Sequence, residues 1–250
     1  MTDVTTVIST VAPVAEGEFR IGRVFSRTLT LLSRNFPIYF AVAAVAAVPG
    51  LFIESSGSKL DGARGVLSLL GFILMVLLGP LSQAIMLHTA FQDMSERRIS
   101  LSESMRAALG RWLPLIGLAI CVGVGVAVGV LLLIVPGIVL MTMWYVANPA
   151  CIVERLGVFA SMARSSELTK GHRWSVFGMM LLLAIASGVM AAVVKGVLGL
   201  SGSTGLVMSG TLAWTALAGA FGAIFMVVTY HDLRVAKEGV DTRQIVAVFD

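Results

Sequence analysis

Long apolar runs alternate with short basic ones along this chain. Uncharged or nearly uncharged stretches occupy about 36–53, 66–91, 112–134, 138–153, 174–197 and 206–230. Each approaches the roughly 20 residues that an α-helix needs to cross a hydrocarbon core about 30 Å thick. The fourth stretch is the shortest and contains Asn148-Pro149. Proline removes an intrahelical hydrogen bond, so this pair predicts a broken or kinked helix. Val135-Pro136-Gly137 separates the third and fourth stretches, and so short a link predicts a tight antiparallel hairpin. The pattern predicts an all-α, polytopic membrane bundle of six transmembrane helices arranged as three hairpins.

A weak internal repeat underlies the pattern. A polar-apolar stretch leads three times into arginine and then into an apolar run. Phe25-Ser26-Arg27 leads to Arg34-Asn35-Phe36-Pro37, and Ser104-Met105-Arg106 leads to Arg111-Trp112-Leu113-Pro114. Ser161-Met162-Ala163-Arg164 leads to Arg173-Trp174-Ser175. Each connecting stretch has helical periodicity. In the first, Ile21, Val24, Phe25, Leu29 and Leu32 share a face opposite Arg20, Arg23, Arg27 and Arg34. In the second, Ser100 and Glu103 fit a capping box ahead of a Leu101, Met105, Ala108 and Trp112 stripe. In the third, Phe159, Met162 and Ala163 align, and Gly171 fits a C-terminal stop. Such helices are expected in the membrane interface, with arginine toward anionic headgroups. Each hairpin is therefore expected to follow one cytoplasmic interfacial amphipathic helix.

Charge sets the orientation. Of 18 Lys and Arg, the segments facing one side hold all but Lys59, Arg64 and Lys195. Cytoplasmic loops retain Lys and Arg, so both termini are expected in the cytoplasm of an inner-membrane protein. The expected organisation is an N-terminal tail over 1–18, a membrane domain over 19–235 and a cytoplasmic tail over 236–250. The tail over 1–18 lacks the basic start and apolar stretch of a signal peptide. Only 13% of residues are charged against 57% hydrophobic, about half the charge of a soluble domain. The net charge of +4 reads as topogenic, so no nucleic-acid partner is expected.

Little in the sequence offers catalytic chemistry. Cys121 and Cys151 are 30 residues apart, with neither redox nor zinc spacing. Glu54, His88, Lys195 and His231 fall near segment ends, where contact with water suffices. Gly123, Gly125 and Gly129 lie within an apolar run and not in a dinucleotide loop; Gly125-x-x-x-Gly129 fits close helix packing. Gly202-Ser203-Thr204-Gly205 reads as a turn, since no histidine is expected on that side to activate the serine. No enzymatic activity, cofactor or metal is expected. Gln83 and Asn148 are read as interhelical hydrogen-bonding groups or as walls of a polar cavity, with Pro149 and Glu154 beside them. Glu154 is expected to join an ion-pair network with Arg155, Arg164 and Arg173. Arg27, Arg34, Arg106, Arg111, Arg164 and Arg173 form the candidate surface for anionic membrane lipids or a membrane-protein partner.

Several motifs add a resemblance. They are Val135-Pro136-Gly137-Ile138, Trp144, Asn148-Pro149-Ala150 and Glu154, then the run from Arg164 through Ser165, Ser166, Glu167, Leu168, Thr169, Lys170, Gly171, His172 and Arg173 to Trp174, then Tyr230-His231-Asp232-Leu233-Arg234. Over about 135–240 the chain resembles the YciC-like membrane proteins and the membrane domain attached to some glycerophosphodiester phosphodiesterases. The resemblance implies a six-span bacterial membrane domain without assigned activity, and the soluble phosphodiesterase domain has no counterpart here. Two functions follow as expectations. One is a non-enzymatic module that binds lipid or a partner through its basic cytoplasmic helices. The other is a small transporter or exporter of a lipid-like or hydrophobic solute.

Overall fold

The computed structural model describes residues 21–56, 62–94 and 100–238. The expected tail over 1–18, the tail beyond 238, and Arg20, Lys59, Arg97, Arg98 and Arg243 lie outside the described residues. Every regular element among the described residues is an α-helix: α1 Ile21–Arg34, α2 Phe36–Ser56, α3 Ala63–Met94, α4 Leu101–Leu109, α5 Trp112–Leu132, α6 Ile134–Met143, α7 Ala147–Val153, α8 Val158–Thr169, α9 Arg173–Gly199 and α10 Thr204–Glu238. Helices α3, α5, α9, α10 and the segment Ile134–Val153 are each long and apolar enough to cross a membrane. The α1–α2 pair, bent by 93°, raises that number from five to six if counted as one broken span. Large exposed apolar side chains run along these helices, among them Leu69, Phe72, Val124, Leu182 and Val189. A water-soluble surface rarely carries so much contiguous apolar area, and the helices together suggest a multi-pass membrane protein.

Three pairs of helices consecutive in the chain, α2–α3, α5–α6 and α9–α10, pack against each other where hairpins were expected. Helix α10 is the hub and packs against α2, α9, α1 and α3. Its buried face opens with Ala216, Ala220 and Ala223 and continues through Phe225, Val228, Tyr230 and Leu233. The small residues let neighbouring backbones approach, the usual basis of helix association in lipid. Past the expected end of the last apolar run at 230, α10 continues as helix to Glu238.

The connecting helices split the expected apolar stripes between the protein interior and the exposed surface. In α1 the buried stripe is Val24, Thr28, Leu31 and Leu32, while Ile21 and Leu29 are exposed. In α4 Ser104 and Ala108 are buried, while Leu101, Met105 and Leu109, and Trp112 at the start of α5, are exposed. In α8 the buried residues are Ser161, Ser165, Leu168 and Thr169, and Phe159 is exposed. Small and hydroxylated residues face the protein, and much of the large apolar surface faces away. The hydroxyls do not go unsatisfied: Thr28 donates to the Val24 carbonyl, Ser161 to that of Gly157 and Thr169 to that of Ser165.

Only half of the expected capping box forms. The Ser100 hydroxyl accepts from the Glu103 N–H at 3.4 Å. The return bond comes from another helix: Gln92 of α3 accepts from the Ser100 N–H and donates to Glu103. Gly171 has a φ of +92°, a left-handed conformation open to glycine, and stops α8 as expected.

The second hairpin corrects two expectations. Val135-Pro136-Gly137 is not the link; it lies in the first turns of α6, and the link is the extended residue Leu133. Pro136 is tolerated there because N–H groups of the first turn have no intrahelical partner. The break in the fourth stretch falls at Trp144, Tyr145 and Val146, upstream of Asn148-Pro149. Pro149 lacks the N–H that would bond Tyr145, and its ring crowds that carbonyl, so the damage appears one turn before the proline. Gly125 and Gly129 pack closely, as expected, while Gly123 faces open space. A Cβ on Gly125 would meet the Trp144 ring at 2.6 Å, and one on Gly129 would lie 3.0 Å from the Gly137 Cα.

Candidate functional site

Three polar arrangements stand out, two of them at the end of the bundle where α1, α4 and α8 meet the ends of α3, α7 and α10. The first is a charge cluster. Glu154, at the end of α7, accepts both of its Arg164 bonds from Nε, at 3.0 and 2.9 Å. It also accepts from the Tyr230 hydroxyl of α10 at 2.7 Å. Arg164 reaches Glu167 at 3.3 Å and also pairs with Glu238. Glu238 in turn accepts from Arg234 at 2.8 Å. Burial disfavours the Arg164 charge, but Glu238 and Glu154 outweigh it and hold the guanidinium pKa above its ordinary value. Of the three arginines expected around Glu154, Arg164 is the one paired with it among the described residues.

The other expected arginines divide by role. Arg27 pairs with Asp232 at 3.5 Å, tying α1 to α10, and Arg34 pairs with Asp93 at 3.7 Å, tying α1 to α3. Arg111 donates to the Leu156 carbonyl at 3.2 Å. Arg106 is exposed. Several members of the expected basic surface are thus engaged with the protein itself. Asp93 and Glu238 had no expected role, and Tyr230 and Asp232 were expected only within the resemblance motif, although Arg234 and Glu238 have the i,i+4 spacing of a helical ion pair.

The second arrangement repairs the break between α6 and α7. Ser165 of α8 donates to the Met143 carbonyl at 2.7 Å and accepts from the Val146 N–H at 3.2 Å. Both backbone groups would otherwise be stranded, because an interrupted helix leaves carbonyls and N–H groups without partners. In the third arrangement, Asn148 donates to Gln83 at 2.8 Å, and Gln83 reaches the Met226 sulfur at 3.6 Å. Gln83 also lines an open groove of about 370 Å³ with Gly79, Pro80, Thr215 and Gly219. Pro149 is buried beside it in α7.

A Ser–His contact exists but has no access. His88 Nδ1 lies 3.1 Å from the Ser104 hydroxyl, which Thr89 and Gln92 also bond. Ser104 is fully buried, so the contact fixes α4 to α3 and no substrate carbonyl reaches it in this arrangement. Ser203 instead starts α10, accepting from the Leu206 N–H after Gly202 turns at φ +66°. Among the described residues no three His, Cys, Asp or Glu side chains converge to hold a metal.

A cleft of about 320 Å³ between α6 and α9 differs from the rest. Val135, Ile138, Val139, Thr142 and Phe177 give it apolar walls, with Arg173 and Trp174 at the start of α9. The Arg173 Nε–H is buried without a hydrogen-bond partner among the described residues. Trp174 meets Phe177 edge-on at 6.2 Å and is otherwise exposed. A larger apolar groove, about 590 Å³, lies between α1, α9 and α10. No family model, curated protein or solved structure matches this chain.

Proposed function

We propose that the chain is a non-enzymatic module of a bacterial inner membrane that binds anionic lipid at its arginine-rich, cytoplasmic end. Both termini lie on that side, and α1, α4 and α8 rest in the interface there. The family reading is the YciC-like one carried by the motifs around Asn148-Pro149, Glu154 and Tyr230. One observation carries the lipid reading: the Arg173 cleft. A guanidinium with an unpartnered buried N–H borders apolar walls and an exposed tryptophan. That combination suits an anionic headgroup on an apolar chain. Buried donors are ordinarily satisfied, and Trp favours the membrane–water boundary. Arg106 adds exposed positive charge at the same end.

The test is mass spectrometry of lipids retained through purification in mild detergent. Anionic phospholipid is expected to be enriched over its share in the source membrane. Arg173→Gln is expected to lower that enrichment about tenfold, since a hydrogen bond to a charged group contributes roughly 1.5–3 kcal/mol. Retained lipid that mirrors the membrane, and does not change with the substitution, refutes the reading.

The second reading, export of a lipid-like solute, is favoured by the groove that Gln83 lines. Reconstituted vesicles should then move a fluorescent lipid between leaflets, and Gln83→Leu should slow it. Absence of flux in the unaltered protein counts against it.

A further inference from the structure

We infer that the α5–α6 hairpin is re-entrant: it enters from the arginine-rich face, turns inside the hydrocarbon and returns to the same face. Its length and apolarity permit crossing but do not require it. Two independent observations favour the turn within the membrane.

The first is distance. The Met143 carbonyl, at the end of α6, is held by Ser165 of α8 at 2.7 Å. Helix α8 also carries Arg164 in the charge cluster, with Glu167 and Lys170 exposed, which keeps it at a polar boundary. From that anchor back to the turn, α6 has 10 residues. At 1.5 Å per residue they reach about 15 Å, half of a hydrocarbon core roughly 30 Å thick, so the entering helix α5, with 21 residues, runs strongly tilted to the same depth. The cleft agrees. Val135, beside the turn, shares one cleft of about 320 Å³ with Arg173 and Trp174 at the start of α9. A crossing hairpin would put Val135 at the opposite face of the membrane from Arg173. A cleft that size does not span a bilayer.

The second is the chemistry of the turn. Residues 112–141 contain no charged, hydroxyl or amide side chain. At the turn, Leu131 is 88% exposed and Val135 70%. The turn between α9 and α10 is instead polar, with Ser201, Ser203 and Thr204. A turn meeting water on the far face would expose only apolar side chains. The same side chains in hydrocarbon need no other partner, and the hairpin satisfies its backbone within its helices and through Ser165. The tip therefore occupies the lipid tails of the leaflet on the arginine-rich side. The first and third hairpins cross fully, giving four crossings and one re-entrant hairpin. Both ends of the second hairpin, Arg111 and Arg155, stay on one face, so the charge asymmetry is unchanged.

Single cysteines in a Cys121→Ala, Cys151→Ala background test this. Arg106→Cys marks the basic face and Ser203→Cys the opposite one. Leu133→Cys, or Val135→Cys if the first accumulates poorly, reports the tip. In membranes, a charged, impermeant maleimide should label the two markers from opposite faces. It should leave the tip unlabelled from both, while an apolar maleimide reaches it. A spin label at the tip should collide many times more often with oxygen than with a water-soluble nickel chelate. Labelling of the tip by the impermeant reagent from either face overturns the inference. The comparison uses sides relative to Arg106→Cys, so a reversed orientation would refute the cytoplasmic assignment and leave the hairpin result readable.

Discussion

Ser165→Ala isolates the contact that repairs the broken segment. The hydroxyl satisfies two buried backbone groups, the Met143 carbonyl at 2.7 Å and the Val146 N–H at 3.2 Å. Ser165 and Val146 are both fully buried, so water does not replace the lost partner. Each stranded group costs about 1–3 kcal/mol. Thr169 also approaches the Met143 carbonyl, at 3.5 Å, and recovers part of the first term. The expected loss is therefore about 2–4 kcal/mol. Ser161→Ala is the control, because that hydroxyl donates to the Gly157 carbonyl, which already accepts from the Ser161 N–H, and otherwise meets the weakly bonding Cys151 thiol. Its removal should cost less than about 0.5 kcal/mol, since such back-bonding contributes little to a helix.

Reversible unfolding in mixed detergent micelles, followed by tryptophan fluorescence, gives the comparison. Pro149→Ala provides a second arm. It restores the missing N–H and lets the segment approach a continuous helix, in which Met143 and Val146 find partners of their own. In that background Ser165→Ala should cost at least about 1 kcal/mol less than alone, a coupling within the range seen for groups sharing one network. Equal destabilisation by Ser165→Ala and Ser161→Ala would refute the reasoning. So would strict additivity with Pro149→Ala.

Two further predictions concern helix contacts. Gly137→Ala should force α5 and α6 apart, because its Cβ would meet backbone atoms of Val130 at 2.7 and 2.9 Å. Gly123→Ala has open space and should stabilise slightly, alanine being about 1 kcal/mol the better helix former; thermal unfolding of the two variants should move in opposite directions. A double-mutant cycle on Asn148→Ala and Gln83→Ala should give a coupling near 0.6 kcal/mol, typical of interhelical hydrogen bonds in lipid. A coupling near zero would mean the 2.8 Å contact contributes nothing net.

Much of this architecture was legible in the sequence, and the physical reason is simple. A hydrocarbon core demands long uncharged helices, so composition alone marks where they lie, and four of the six expected apolar runs fall within single helices. Arginine clustering marks which ends lie together. Gly125 and Gly129 announced a close helix contact because a missing Cβ has few other uses inside an apolar run. Glu154 and Arg164 were expected in one ion-pair network, and they meet.

What remained hidden depends on a distinction that hydropathy does not make. An apolar residue avoids water, but in a membrane both protein and lipid satisfy it. Periodicity therefore could not show that Ser104, Ser161 and Ser165 face inward while Leu101, Met105 and Phe159 face out. Close approach decides that, and small hydroxylated side chains permit it. The arginines posed a similar problem: the sequence counts their charges, but only packing brings Asp232 to Arg27 and Asp93 to Arg34. The course of the second hairpin is the clearest case. Thirty residues from 112 to 141 without a charged, hydroxyl or amide side chain make it apolar enough for hydrocarbon. Where its returning end is held is decided by Ser165, through a contact between residues 22 apart in the chain.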